Sequence, residues 1–220
     1  MAQAKALRPD WLPAVALSAA LAAAMLAWNP QVGDLAAQVF RAELFERAGL
    51  AIWNGSWYGG HYTLTYSVLF PPLAALLSPQ LVGMVAVVAS AYLFDRLVRD
   101  NWGEAARPAT LWFAAGVVTL LADGQLTFAL GVAFGLGSLR ALQTKRTPLA
   151  LAAATCCALS SPVAAVFLAG VLLASAVDLS HISRVRPRGP ELWAATIALA
   201  LTLIPNLVFP GAGEFPFAFS

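Results

Sequence analysis

Charge is scarce in this sequence. Lys, Arg, Asp and Glu together make up 11% of the 220 residues, against about 25% in an average soluble domain. Hydrophobic residues make up 60% and the mean hydropathy is +0.74, so the composition argues against a water-soluble globular domain. It excludes intrinsic disorder as well, which needs low hydrophobicity and high charge. The net charge of +2 is too small for a nucleic-acid footprint, and no nucleic-acid partner is expected. Cysteine is nearly absent: Cys156 and Cys157 are neighbours in an apolar run, which excludes a disulfide framework and leaves the redox compartment unreadable. Histidine is as scarce. His61 and His181 make no metal-ligand spacing with the cysteines, and no glycine loop ends in Lys-Ser or Lys-Thr, so P-loop chemistry is unsupported. What the chain does have is long apolar runs, the pattern of an all-α, polytopic transmembrane helical bundle.

A bilayer core takes about 20 apolar residues per helix. The first run covers 11–28. The second covers 68–93, with Pro71 and Pro72 in its first turn, where the missing N–H costs nothing. Two longer stretches are interrupted: 110–142 at Asp123-Gly124-Gln125, and 148–177 at Ser160-Ser161-Pro162. Each is either one kinked helix or a hairpin of two short ones. The last run covers 192–208. Basic residues choose between these alternatives, because cytoplasmic loops collect Lys and Arg. With two hairpins the spans lie near 11–28, 68–93, 110–122, 126–142, 148–160, 162–177 and 192–208. Lys5, Arg8, Arg96, Arg99, Arg107, Arg140, Lys145, Arg146, Arg184, Arg186 and Arg188 then share the inner side, and only Arg41 and Arg47 fall outside. The expectation is one transmembrane module over 1–220, amino terminus inside, with seven spans. The competing reading of the first run is a signal peptide, which would leave six.

The outer side has one long loop, 29–67. Its first part reads as a helix lying in the membrane interface. Asp34 sits at the N-cap, Glu43 and Arg47 pair at i,i+4, Gly49 is the stop, and Leu35, Val39, Phe40 and Leu44 form the apolar side. Its second part, Trp53-Asn54-Gly55-Ser56-Trp57-Tyr58-Gly59-Gly60-His61-Tyr62, is dense in aromatic and hydrogen-bonding groups. Asp34 is either a cap or a functional acid. The aromatics are either an interfacial belt or a binding surface. Asp123 is either a hairpin tip or, since ionisable groups near membrane depth are costly, a functional residue. Asp34 and Asp123 fall on the same side, where two carboxylates suit a base and a metal or phosphate-partner ligand.

The order of an early outer-loop Asp, an interfacial helix, a Trp-Tyr-Gly-Gly segment and Tyr66-Ser67-Val68-Leu69-Phe70-Pro71-Pro72-Leu73 opening the next span resembles the GT-C superfamily of polytopic membrane glycosyltransferases. The seven-helix count is similar to the amino-terminal module of one branch. The resemblance implies transfer of a sugar from a polyprenyl-phosphate donor to a glycan, lipid or protein acceptor at the extracytoplasmic face of a bacterial cell membrane. It implies that Asp34 is the catalytic base. Arg41 and Arg47 would meet the leaving phosphate. Trp57, Tyr58 and His61 would line the sugar or headgroup pocket. Asp123 would hold a divalent metal ion or position the acceptor. The chain departs from members with paired acids here, since Leu35 follows Asp34. Family enzymes are usually longer, so the chain is expected to be either a short relative or the amino-terminal part of a longer protein.

Two other classes compete. A transporter or lipid flippase would use the interrupted helices as broken-helix sites, although no inverted repeat is visible. A non-catalytic scaffold subunit would pack a membrane-protein partner through Gly131 and Gly135, a small-xxx-small match.

Overall fold

The computed structural model describes residues 10–30, 32–55, 63–176 and 189–208. Among these the chain is helical apart from its connections and one pair of two-residue strands. The elements are α1 (Leu12–Trp28), α2 (Gly33–Ala48), β1 (Trp53–Asn54), β2 (Thr63–Leu64), α3 (Phe70–Leu77), α4 (Pro79–Trp102), a 3-10 turn (Gly103–Ala106), α5 (Arg107–Gly116), α6 (Thr119–Ala122), α7 (Leu126–Gln143), α8 (Thr147–Ser160), α9 (Pro162–Ala176) and α10 (Gly189–Val208). β1 and β2 pair antiparallel, Trp53 opposite Leu64.

Proline sets most of the boundaries. It stands in the first turn of α1, α3, α4, α5, α8, α9 and α10, where its ring is preorganised and its missing N–H is harmless. This corrects the expected span over 68–93. Pro79 cannot continue a helix from α3, because it lacks the donor and its ring would strike the carbonyl one turn back. The run therefore breaks at Ser78, which takes φ 115° and accepts a hydrogen bond from the Leu81 N–H at 3.3 Å. Past this break a longer helix, α4, continues to Trp102. The interrupted stretches are hairpins: α6 and α7 meet at Asp123-Gly124-Gln125, and α8 and α9 meet at Ser161.

Contacts give the directions. α1 runs antiparallel to α4, with Trp11 edge-on to Tyr92 at 5.5 Å and the Ser18 hydroxyl donating to the Val87 carbonyl. α5 and α6 also run antiparallel to α4, from Phe113 stacked on Phe94 to Leu121 against Gly83. α7 runs parallel to α4, from Leu126 at Gly83 to Gln143, which donates to the Leu97 carbonyl at 3.1 Å. α8 returns along α7, with Gly135 near Cys157 and Ser138 donating to the Ala150 carbonyl at 2.9 Å. α9 runs along α7 again, and α10 packs on α8 and α9.

The interior is built from small side chains in two clusters. One includes Ala22, Phe70, Ala74, Val82, Ala86, Val87, Leu126 and Ala129. The other includes Ala154, Cys157, Ala165, Leu168, Leu172, Ala194 and Ala198. Phe134 of α7 touches both. Alanine and glycine let helix axes approach closely, which is how helices associate where lipid removes the hydrophobic drive. The Gly131–Gly135 match is used inside this fold: a Cβ on Gly131 would lie 2.6 Å from Ala164 Cβ and 3.0 Å from Ser161 Cβ. Large apolar side chains point outward instead, Trp112 at 83% and Leu76 at 78% exposure among them.

Two helical stretches, Pro79–Ala122 and Leu126–Gln143, are long and apolar enough to cross a membrane; α1 joins them when counted with α2, from which it is bent by 85°. The sequence predicts seven spans. Part of the shortfall is one of length: at about 1.5 Å per residue, the 14 residues of α8 reach roughly 21 Å, against a hydrocarbon core of about 30 Å; and α4 is counted together with α5 and α6.

The bundle has chemically distinct ends. Arg96, Arg99, Arg107, Arg140, Lys145 and Arg146 lie at the end formed by the α4–α5 and α7–α8 connections. Arg140 pairs with Asp100 there. Asp95 is fully buried and pairs with Arg99 at 2.8 Å, and Arg99 reaches Glu104 at 2.8 Å. Asp95 lies just past the expected span end at Leu93, and no sequence pattern singles it out. Arg41 and Arg47 lie on α2, at the other end.

Two substitutions test this packing. Arg99→Gln should leave Asp95 as an uncompensated buried charge and cost about 3–5 kcal/mol, measured as thermal unfolding in detergent. Gly131→Val should force α7 away from the α8–α9 turn and cost about 1–3 kcal/mol in the same assay, with Gly116→Val, where a Cβ meets nothing within 4 Å, as the tolerated control.

Candidate functional site

α2 positions the site. It begins two residues earlier than expected, at Gly33, and its N-cap, Val32, makes no side-chain bond. Asp34 is therefore not the cap but a first-turn residue. A carboxylate there is favoured by the partial positive charge of the helix amino terminus. Its side chain is exposed and has no hydrogen bond or ion pair among the described residues. The buried side of α2 also differs from the expected one. Gln38 and Ala42 are buried, while Leu35, Val39, Phe40 and Leu44 are half-buried. Glu43 and Arg47 do pair at i,i+4, at 3.3 Å, and Gly49 ends the helix with φ 67°, a conformation open to glycine at no steric cost.

A cavity of about 560 Å³ opens beside this helix. Asp34, Gln38 and Arg41 line it from α2, Gln125, Thr127 and Phe128 from the start of α7, Phe167 from α9, and Tyr66 from the loop before α3. The seven residues from Asp34 to Arg41 make about two helical turns, so both face the cavity. Arg41 is half-buried and held in place. Its Nη1 donates to Gln38 Oε1 at 3.1 Å, and its guanidinium lies 5.6 Å from the centre of the Tyr66 ring, within the range of a cation–π attraction.

Tyr66 is fixed in turn. Its hydroxyl is 3.0 Å from Ser161 Oγ. The N–H groups of Val68 and Leu69 both donate to the Leu159 carbonyl, at 2.8 and 3.1 Å. Ser161 is an N-cap for α9, accepting from the Ala164 N–H at 3.3 Å, with Pro162 at the next position. The α8–α9 turn thus anchors the tyrosine that supports the arginine.

Asp123 is exposed and does not line the cavity, but its turn packs on the first turn of α2. Gly124 has φ 73°, and a Cβ on it would lie 2.6 Å from Leu35 N and 3.1 Å from the Asp34 carbonyl carbon. The two acids that stand 89 positions apart are thereby brought to one corner. They are only two, and no group of three His, Cys, Asp or Glu side chains suited to a metal ion exists among the described residues. The described residues do not build a divalent-ion site, and the expected metal role of Asp123 finds no further ligands there.

Arg47 is exposed, bound to Glu43, and stands away from the cavity. Trp57, Tyr58 and His61 lie outside the described residues. Gln38, Tyr66, Gln125, Thr127, Phe128 and Phe167 join the site without having been expected there. Gln38 was readable as the residue one turn from both Asp34 and Arg41. Phe128 and Phe167 carry no local signal, since their edge-on contact at 6.2 Å joins α7 to α9. No family model, curated protein or solved structure matches this chain.

Substituting Gly124 with Ala should strain the turn and push it off α2. The expected result is faster proteolysis or labelling of the 29–36 segment with little change in global unfolding. An unchanged labelling rate would count against the contact.

Proposed function

We propose that the chain is a membrane glycosyltransferase of the GT-C type, or its amino-terminal module, using a polyprenyl-phosphate-linked sugar at the extracytoplasmic face. In this reading the α2 end faces outward, the basic end faces the cytoplasm, the helical rods are seven spans, and α2 lies in the interface. One observation carries the reading: Asp34 and Arg41 face a single cavity from one helix, about 10 Å apart along its axis, with aromatic and amide side chains around them.

That spacing suits a sugar phosphate held between a base and a cation. Asp34 accepts the proton of an acceptor hydroxyl as the oxygen attacks the anomeric carbon. The acceptor-oxygen bond forms while the bond from the anomeric carbon to the phosphate oxygen breaks. The electron pair leaves with the polyprenyl phosphate, and its developing charge is met by Arg41. Gln38 and Tyr66 are positioning residues, since they hold the guanidinium that does this. Phe128 and Phe167 offer apolar faces to the sugar or to the first isoprene units. No step passes through a metal ion.

Asp34→Asn should abolish transfer from a polyprenyl-phosphate sugar to acceptor in proteoliposomes, while the melting temperature stays that of the parent. Arg41→Gln should reduce turnover by roughly 100-fold or more, the scale of losing one charge-stabilising donor. Undiminished transfer by the Asp34 variant would remove the base assignment. Uptake of a substrate into vesicles without any sugar transfer would favour a transporter.

A further inference from the structure

A second cavity, of about 740 Å³, runs along the bundle between α4, α7 and α8. Its walls are almost wholly apolar: Val82, Ala86, Ala89 and Leu93 on α4, Leu130 and Phe134 on α7, and further small and aliphatic side chains on α8 and α3. Only at one end does its character change. There Arg140, Thr144 and Arg146 line it, at the basic end of the bundle and far from Asp34 and Arg41. Arg140 is committed to Asp100 and Gln143. Arg146 is exposed, has no hydrogen-bonded or ionic side-chain partner among the described residues, and follows Lys145, also exposed.

We infer that this groove binds one anionic phospholipid, with an acyl chain along α4 and α7 and its phosphate at Arg146 and Lys145. Three observations support that occupant. The groove extends from Leu130 to Thr144 on α7, about 20 Å of helix, which is closer to the depth of one leaflet than to that of the whole bilayer. Its rim carries outward apolar side chains, Leu77, Val85 and Leu149, all about half-exposed, so it opens sideways into hydrocarbon. Its polar end offers Arg146 and the Thr144 hydroxyl, with Lys145 between them in the chain, but no free carboxylate, because Asp100 is already paired with Arg96 and Arg140. Basic pockets between helices at a membrane face are the usual setting for anionic headgroups. Gly137 keeps the floor open. A Cβ there would meet only Leu93 at 3.9 Å and Ala153 at 4.0 Å, which is ordinary contact, so a larger side chain would enter the groove without forcing the helices apart.

The test is native mass spectrometry of the full chain released from neutral detergent and titrated with phosphatidylglycerol or phosphatidylcholine. One phosphatidylglycerol should be retained with roughly tenfold or greater preference. Arg146→Gln combined with Lys145→Gln should reduce that preference to less than about twofold. Gly137→Leu should weaken retention of both lipids, with the melting temperature unchanged. Equal retention of the two lipids by the parent would overturn the inference, as would full displacement by millimolar inorganic phosphate, tighter retention of a polyprenyl phosphate, or retention unaffected in Gly137→Leu. Because the readout is binding at the basic end, Asp34→Asn should leave it intact, so the lipid site and the transferase reading can fail independently.

Discussion

The close approach of α7 to the α8–α9 hairpin is the constraint on which the rest of the structure depends. At Gly131 there is no space for even one more carbon, because Ala164 and Ser161 occupy it. That contact fixes the depth at which the hairpin turn sits against α7. The turn then offers Ser161 to Tyr66 and the Leu159 carbonyl to Val68 and Leu69. Tyr66 supports Arg41, and α7 itself carries Gln125, Thr127 and Phe128 to the cavity. A packing event between small residues in the apolar interior therefore reaches the site through a short series of named contacts, not through a long-range effect.

The two ends of the bundle use charge in different ways. At the basic end most charges are matched: Asp95 with Arg99, Glu104 with Arg99, Asp100 with Arg96 and Arg140. A buried carboxylate such as Asp95 is tolerable only with its partner in place, because desolvation of an isolated charge costs more than the fold can supply. At the α2 end, Asp34 and Asp123 have no such partners among the described residues. Arg41 there is steadied by an amide and an aromatic face.

Much of the helical plan was legible in the chain. Helices match the apolar runs at 11–28, 126–142, 148–160, 162–177 and 192–208 to within a few residues, because each is bounded by proline, glycine or polar breaks that act locally. The run over 68–93 divides for an equally local reason, the ring of Pro79. The N-cap assignment of Asp34 failed because cap geometry depends on how the chain enters the helix, and Gly33 is free to take the first helical position. The site was legible only in part. Asp34 and Arg41 share a face by helical periodicity alone, while the same periodicity, about 100° per residue, turns Arg47 to the opposite side of α2, where it pairs with Glu43.

The sequence by itself determined the helical plan. Few charges and long apolar runs, divided by proline and glycine, give apolar helices, two or three of them long enough to cross a membrane, and the grouping of Lys and Arg in a few loops separates the two ends. Only the tertiary structure decided which residues meet. Gly124 sits against the first turn of α2, Tyr66 reaches Ser161 across 95 positions, and Leu126 lies against Gly83. These contacts depend on the distance between helix axes, which small residues on several helices set jointly. No single segment of the chain contains that distance, so the corner shared by Asp34 and Asp123 and the groove ending at Arg146 exist only once the bundle has closed.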